Sequence, residues 1–141
     1  MSEASGFRLF EHTADFGIEA WGPDEQSMFQ AAARGLFESI LDPETVRETR
    51  SVEVAVQAEG LDLLLRAWLS ELLYLFSAKG MAVRRFQIHE MDAGRLRATV
   101  YGEPFDESRH GLRSDAKAIT YHQLFAGRES GLWRGRVIVD V

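Results

Sequence analysis

Residues 52–78 have the sequence VEVAVQAEGLDLLLRAWLSELLYLFSA, and this stretch decides the fold class. Its first part alternates, with Val52, Val54 and Val56 separated by other residues, as in a half-buried strand. After Gly60 the apolar residues recur at helical spacing, which predicts a helix from about Leu61 to Ala78 that Gly80 caps. A strand followed by a long helix of this kind is typical of a protein that packs helices on a sheet.

The flanking sequence predicts one more helix and several strands. Gly22-Pro23-Asp24 ends a strand, and Asp24 is a candidate N-cap for a helix that continues to about Leu41 before Asp42-Pro43. A polar loop is expected over 102–114 and a turn over 127–131. Further strands are expected at 7–11, 17–21, 82–89, 95–101, 116–125 and 133–141. The prediction is therefore an α+β protein, with two helices packed on a largely antiparallel β-sheet in one compact domain over residues 1–141.

Composition excludes several functional classes. The chain has 141 residues, no cysteine and a formal charge of −6, so thiolate metal sites and cysteine nucleophiles are excluded. An acidic domain repels a phosphate backbone, and we therefore expect no direct binding of nucleic acid. The first residues do not form a signal peptide, and 61–76 is too short and too charged to span a membrane, which favours a cytoplasmic protein without membrane contact.

Glu11-His12-Thr13-Ala14-Asp15, between the first two strands, is the first candidate site. From such a loop His12 can present a ring nitrogen to a cation, and Asp15 a hard carboxylate oxygen. The alternative is an ordinary turn in which Thr13 or Asp15 caps backbone amides.

The last strand carries the second candidate. Alternation places Asp140 on the face opposite Val137, Val139 and Val141, and the carboxylate that follows Val141 lies next to the Asp140 side chain. Two negative charges this close repel each other, and a cation or a basic residue would relieve the repulsion. A frayed and solvated terminus is the alternative.

Three further residues are candidates for supporting roles. Lys117 could neutralise a carboxylate cluster or contact a phosphate, whereas His122 lies on the other face of the same segment, where it is a ligand or simply a satisfied core histidine. Glu71 lies on the apolar side of the second helix. Three interpretations remain: Glu71 is exposed at the edge of that side, it forms a buried pair with an arginine, or it is a carboxylate of the site.

Five segments of the chain together resemble the archease family. They cover nearly the whole chain in the order and at the length expected for that family. In sequence order they are HTADFGI (12–18), WG (21–22), WLSELLYLF (68–76), KAITYH (117–122) and VDV (139–141).

The resemblance implies an accessory protein of RNA splicing rather than an enzyme. Its expected partner is the GTP-dependent 3′-phosphate tRNA-splicing RNA ligase, whose guanylylation and repeated turnover it would promote. The resemblance also implies a divalent cation, calcium first and manganese or magnesium as alternatives, with Asp15, Asp140 and Val141 as ligands. His12, Lys117, Glu71 and His122 would support that site.

Two other functions remain as hypotheses. A stand-alone metal-dependent phosphohydrolase or nuclease would cluster carboxylates around metal ions, and it would lose activity when Asp15 is replaced. A general protein-binding chaperone would expose an apolar groove and would not depend on Asp15 or Asp140. The oligomeric state is not indicated by any motif.

Overall fold

The computed structural model of the protein describes residues 5–12 and 15–141. Within these residues there are three helices, one 3₁₀ turn at Pro43–Thr45 and eight strands. The helices are α1 (Glu25–Ile40), α2 (Leu61–Ser77) and the short α3 (Glu107–His110). The strands are β1 (Gly6–His12), β2 (Asp15–Gly22), β3 (Arg50–Gln57), β4 (Met81–Met91), β5 (Arg95–Pro104), β6 (Ala118–Ile119), β7 (Phe125–Glu129) and β8 (Leu132–Asp140).

The strands form two sheets, and every pairing in them is antiparallel. The larger sheet has the order β1-β2-β8-β6, with β7 also paired to β8, and the smaller has the order β3-β5-β4. The predicted α+β class with two long helices on antiparallel strands is confirmed. The strands divide into two sheets because β3 to β5 pair among themselves, and a continuous apolar core lies between both sheets and the long helices.

Helix α1 begins and ends where its sequence predicts. Asp24 is the N-cap: its side chain accepts a hydrogen bond from the Ser27 amide at 2.8 Å, and the Ser27 hydroxyl approaches the Asp24 amide in return. The helix ends at the C-cap Leu41, and the 3₁₀ turn that begins at Pro43 prevents its continuation. Its apolar face, including Phe29 and Phe37, is completely buried.

Helix α2 is tied to α1 through its one tryptophan. The Trp68 indole donates a hydrogen bond to the Phe29 carbonyl at 3.0 Å, which satisfies a polar atom in the centre of the core. Gly80 lies just beyond the C-cap Ala78 with φ of +65°, and its amide bonds the Phe76 carbonyl. This left-handed glycine is the helix stop that the sequence predicts.

No helix within the described residues is long and apolar enough to cross a membrane.

Three elements predicted from the sequence, a loop, a turn and a strand, differ in the structure. The expected loop at 102–114 contains the end of β5 and helix α3, and the expected turn at 127–131 contains most of β7, with only Ser130 and Gly131 forming a two-residue hairpin turn. The expected strand at 116–125 is interrupted. Both β6 and β7 pair with β8, but five residues separate Ile119 from Phe125, whereas two separate their partners Val139 and Arg136. The surplus residues therefore loop out as a turn.

A buried carboxylate fixes the segment between β5 and β6. One oxygen of Glu103 accepts hydrogen bonds from Arg109, from the Arg47 amide and from His110, each at 2.8 Å. The other ring nitrogen of His110 accepts from the Asp106 amide at 2.9 Å, so its Nε2 carries the proton donated to Glu103. The Arg109 hydrogen bond, aided by the Arg47 amide and His110 against the opposing effect of burial, lowers the pKa of Glu103 from 4.5 to about 2.

Glu103→Gln is therefore expected to destabilise the fold and to reduce its sensitivity to acid. A carboxylate with a lowered pKa stabilises the folded state above its unfolded pKa, and this contribution is lost as the pH falls from about 4.5 to about 2. Because Glu103 is only 7% exposed in its side chain, its replacement should cost about 1.5–3 kcal/mol near neutral pH. Urea unfolding across this pH range measures both effects.

Glu90→Gln is the matched control for that substitution. Glu90 pairs with Arg97 at 3.3 Å on an exposed surface, where an ion pair contributes little to stability. Equal losses for the two variants, or a Glu103→Gln loss that stays constant between pH 7 and pH 2, would contradict the account of the buried cluster.

Candidate functional site

Four residues from three separate parts of the chain form one row across the end of the larger sheet. His12 of β1 is paired with Asp15 of β2. Asp15 and Asp140 each lie one residue beyond the pair Phe16–Val139, on adjacent antiparallel strands, and Asp140 is paired in turn with Ala118 of β6. We call His12, Asp15, Asp140 and Ala118 the terminal row. Because residues that face each other across a ladder share one side of the sheet, the His12, Asp15 and Asp140 side chains share a face.

The terminal row lies on the side of the sheet away from the helices. In the neighbouring rows Ile18, Val137 and Val139 are at most 1% exposed and belong to the core. The row is offset from Val139 by one residue and therefore lies on the opposite face. Asp15 is half-buried and Asp140 exposed, which leaves the two carboxylates accessible at the rim of a rigid sheet.

The looped-out turn between β6 and β7 brings His122 and Gln123 to this row. The His122 and His12 rings lie 5.1 Å apart, and the Gln123 side-chain amide is 3.4 Å from His12 Nε2. The other nitrogen of His12, Nδ1, is buried and has no hydrogen-bond partner within residues 5–12 and 15–141. The sequence does not predict this contact of Gln123 with His12, because the contact depends on a turn in which Gln123 has φ of +54°.

Lys117 and Glu71 are placed differently. The Lys117 amide donates to the Asp140 carbonyl at 2.7 Å, but its side chain belongs to the face of β6 that looks toward α2. Glu71 is half-buried on α2, about 140° around the helix axis from Arg66, which faces β6. The structure therefore places His12, Asp15 and Asp140 in one row with His122 beside His12, and it places Lys117 on the other side of the sheet. It leaves Glu71 apart, without an ion pair to any described residue.

The donor set of the terminal row suits a hard divalent cation with an incomplete protein shell. Within the described part of the chain, no three His, Asp or Glu side chains converge closely enough to hold a metal by themselves. Two carboxylates on neighbouring strands could supply oxygen ligands, and main-chain oxygens or water could complete a flexible shell of the kind that calcium accepts. Thr13 and Ala14, which belong to the loop motif of the sequence, lie outside the described residues.

The chain belongs to the archease family. Residues 7–141 match the Archease protein family (MTH1598/TM1083). Protein archease of Pyrococcus furiosus is 35% identical over 136 residues, which cover 94% of this chain and 96% of that protein. Protein archease of Methanosarcina mazei is 34% identical over 144 residues, with 99% of each chain covered. The resemblance seen in the five sequence segments is thus confirmed.

Two solved structures share the fold. The solution structure of Methanobacterium thermoautotrophicum protein 1598 superposes with a TM-score of 0.74 at 34% identity, covering 96% of this chain and 99% of that one. A crystal structure of an archease, possible chaperone, from Thermotoga maritima superposes with a TM-score of 0.66 at 21% identity, covering 95% and 96%. At the lower identity the likeness concerns the fold alone.

The adjacency of Asp15 and Asp140 can be tested by cross-linking, because the natural chain has no cysteine. Residues opposite each other on antiparallel strands have Cα atoms about 4.5–5.5 Å apart, which is within the range a disulfide spans. Mild oxidation of the Asp15→Cys/Asp140→Cys variant should therefore consume both thiols within one chain, as measured by thiol titration and by gel mobility without reductant.

The control pair for this cross-link is Asp15→Cys/Val139→Cys. Val139 points into the core on the other face of β8, so its thiol cannot meet that of residue 15 without unfolding. Efficient cross-linking of the control, or none in the test pair, would show that β2 and β8 are paired in another register.

Proposed function

We propose that this protein is an accessory protein of the GTP-dependent 3′-phosphate tRNA-splicing RNA ligase. It would promote guanylylation of the ligase and its multiple turnover on RNA ends that carry a 3′-phosphate or a 2′,3′-cyclic phosphate. The observation that carries the proposal is the terminal row, where the register of β2 and β8 aligns Asp15 with Asp140 in a chain of the archease family.

In this proposal the terminal row holds a divalent cation. Asp15 and Asp140 provide carboxylate oxygens, and Val141 provides main-chain oxygen. An all-oxygen set favours calcium, with manganese and magnesium as alternatives. The cation would supply positive charge able to attract phosphate oxygens or carboxylates of a partner. Since few ligands come from this chain, positions stay open for groups of the ligase.

The neighbouring residues would orient the two carboxylates. The contact of His12 with His122 and Gln123 holds the end of β1 against the turn before β7, next to Asp15. The Lys117 amide holds the Asp140 carbonyl and so fixes the last pair of the sheet. Glu71 lies outside this set, and the proposal assigns it no role at the cation. The protein would act on the ligase in the cytoplasm without itself holding the RNA.

The metal proposal predicts a loss of cation binding in one conservative variant. Asp140→Asn keeps the size of the side chain but removes the charge of a hard ligand, so the affinity for Ca²⁺ or Mn²⁺ should fall by about tenfold or more. Isothermal titration calorimetry of the metal-free protein measures this. Glu59→Gln, an exposed carboxylate before α2, is the control and should bind as the wild type does. Equal binding by wild type and Asp140→Asn would eliminate Asp140 as a ligand.

The functional proposal predicts multiple turnover that depends on Asp15. The cognate 3′-phosphate RNA ligase is combined with GTP, Mn²⁺ and excess 3′-phosphate RNA, and this protein is added in substoichiometric amounts. Wild type should raise the number of ligations per ligase molecule above one, because it would let each ligase molecule be guanylylated again after a turnover. A substoichiometric amount should suffice, since each accessory molecule would serve several ligase molecules in turn. Asp15→Asn should not, whereas Glu59→Gln should match the wild type.

Two outcomes would overturn the accessory role. Stimulation by Asp15→Asn equal to that of wild type would show that the terminal row has no part in it. Absence of any stimulation, together with metal-dependent cleavage of a phosphoester by this protein alone, would favour the phosphohydrolase alternative.

A further inference from the structure

A second polar recess lies on the helix side of the same sheet end. It is an open depression with a volume of about 260 Å³, and it is lined by the outward face of α2 and by residues 117–119. Its polar lining consists of Arg66, Ser70, Tyr74, Ser77 and Lys117, and none of the described residues that line it is acidic. The recess is therefore a concentration of positive charge in a protein whose formal charge is −6.

Both cations of the recess lack a carboxylate partner among the described residues. Neither Arg66 nor Lys117 forms an ion pair within residues 5–12 and 15–141, although Arg8, Arg85, Arg97, Arg109, Arg113 and Arg134 all do. The Arg66 guanidinium lies 3.9 Å from the centre of the Tyr121 ring. Stacking on an aromatic face restrains a guanidinium and leaves its N–H edges available to an anion.

Several hydrogen-bond donors of the recess are left without an acceptor in the part of the chain that the structure describes. Arg66 Nε is buried and has no acceptor among the described residues. Ser70 and Ser77 lie on the same side of α2, and Lys117, the residue before β6, lines the recess opposite them. Arginine and lysine only donate hydrogen bonds and serine hydroxyls can donate, so a complementary ligand presents several acceptor oxygens and negative charge. A phosphate group has this chemistry, with three or more oxygens for an arginine fork, an ammonium and hydroxyls.

Two exposed tyrosines flank the recess. Tyr74, on its rim, is 49% exposed and Tyr121 is 65% exposed, so both rings are accessible from solvent. Exposed aromatic rings beside a cationic pocket are typical of surfaces on which nucleobases stack. The volume accommodates a phosphate with part of its sugar, and the base would then lie outside the recess against a ring.

We propose that this recess binds a mononucleotide, with its phosphate held by Arg66, Lys117 and the serine hydroxyls and its base stacked on Tyr74. The recess and the terminal row share β6 but open on opposite faces of it, since the Lys117 amide bonds the Asp140 carbonyl while the Lys117 side chain faces α2. The proposal goes beyond the role with the ligase, and its test contains neither ligase nor metal.

The test is a titration of the isotope-labelled protein followed by ¹H–¹⁵N NMR in the presence of EDTA. The probes are guanosine 5′-monophosphate, adenosine 5′-monophosphate and inorganic phosphate. Amide signals along the Arg66–Ser77 side of α2 and at 117–119 should shift with each probe. Both nucleotides should bind at least about fivefold more tightly than inorganic phosphate, because base stacking adds to phosphate binding.

Two variants separate the parts of the site. Arg66→Gln should weaken the binding of all three probes by about tenfold, because a charge-assisted contact to the phosphate is lost. Tyr74→Leu should reduce the preference for nucleotides over phosphate and leave the affinity for phosphate unchanged. Arg128→Gln is the matched control, since Arg128 also approaches an aromatic ring, that of Trp133 at 6.0 Å, but lies on β7 outside the recess.

Three results would overturn the proposal. Absence of shifts in α2 and β6 at millimolar nucleotide would eliminate the site. Equal weakening by Arg66→Gln and Arg128→Gln, with both variants folded by their NMR spectra, would show that only general charge attraction is involved. Equal affinity for nucleotide and inorganic phosphate would eliminate the stacking of the base and with it the assignment to a nucleotide.

Discussion

The antiparallel pairing of β2 with β8 is the constraint on which the rest of the structure depends. It joins the beginning of the chain to its end, from Phe16–Val139 to Gly22–Trp133. Its helix-facing side chains, such as Ile18 and Val137, form part of the core. A slip of one residue would turn these side chains out to solvent and the carboxylates inward, at a high cost in free energy. The same register that builds the core therefore aligns Asp15 with Asp140.

The two long helices pack closely on the larger sheet, and this packing fixes the position of α2 relative to β6. Gly135 of β8 passes beneath both helices, and a Cβ added there would lie 2.7 Å from the sulfur of Met28 and 2.9 Å from Leu65. This close approach and the Trp68–Phe29 hydrogen bond hold α2 over the sheet, so that Arg66 lies beside β6. One rigid sheet end thus carries an acidic face and, across β6, a basic recess.

This separation of negative and positive charge is consistent with the proposed accessory role. Two carboxylates on the rim of the sheet would attract a cation without surrounding it, and a basic recess, whose cations form no ion pair with any described residue, would attract an anion. A surface that coordinates a bound ion incompletely is suited to sharing that ion with a partner protein. Family membership, the register of the row and the proposed role are therefore mutually consistent, although they rest on different observations.

Local sequence alone determined the two long helices, the Asp24 and Gly80 caps, the alternating β3 and the archease family, because periodicity, caps and motifs are properties of neighbouring residues. It also singled out Asp15 and Asp140, whose adjacency the family resemblance implies but no local pattern of the sequence requires. Tertiary structure decided the pairing of β2 with β8, the interruption at 120–124, the Glu103 cluster and the meeting of Arg66 with Lys117. Each of these depends on strand register and helix packing between distant segments, which local preferences do not specify.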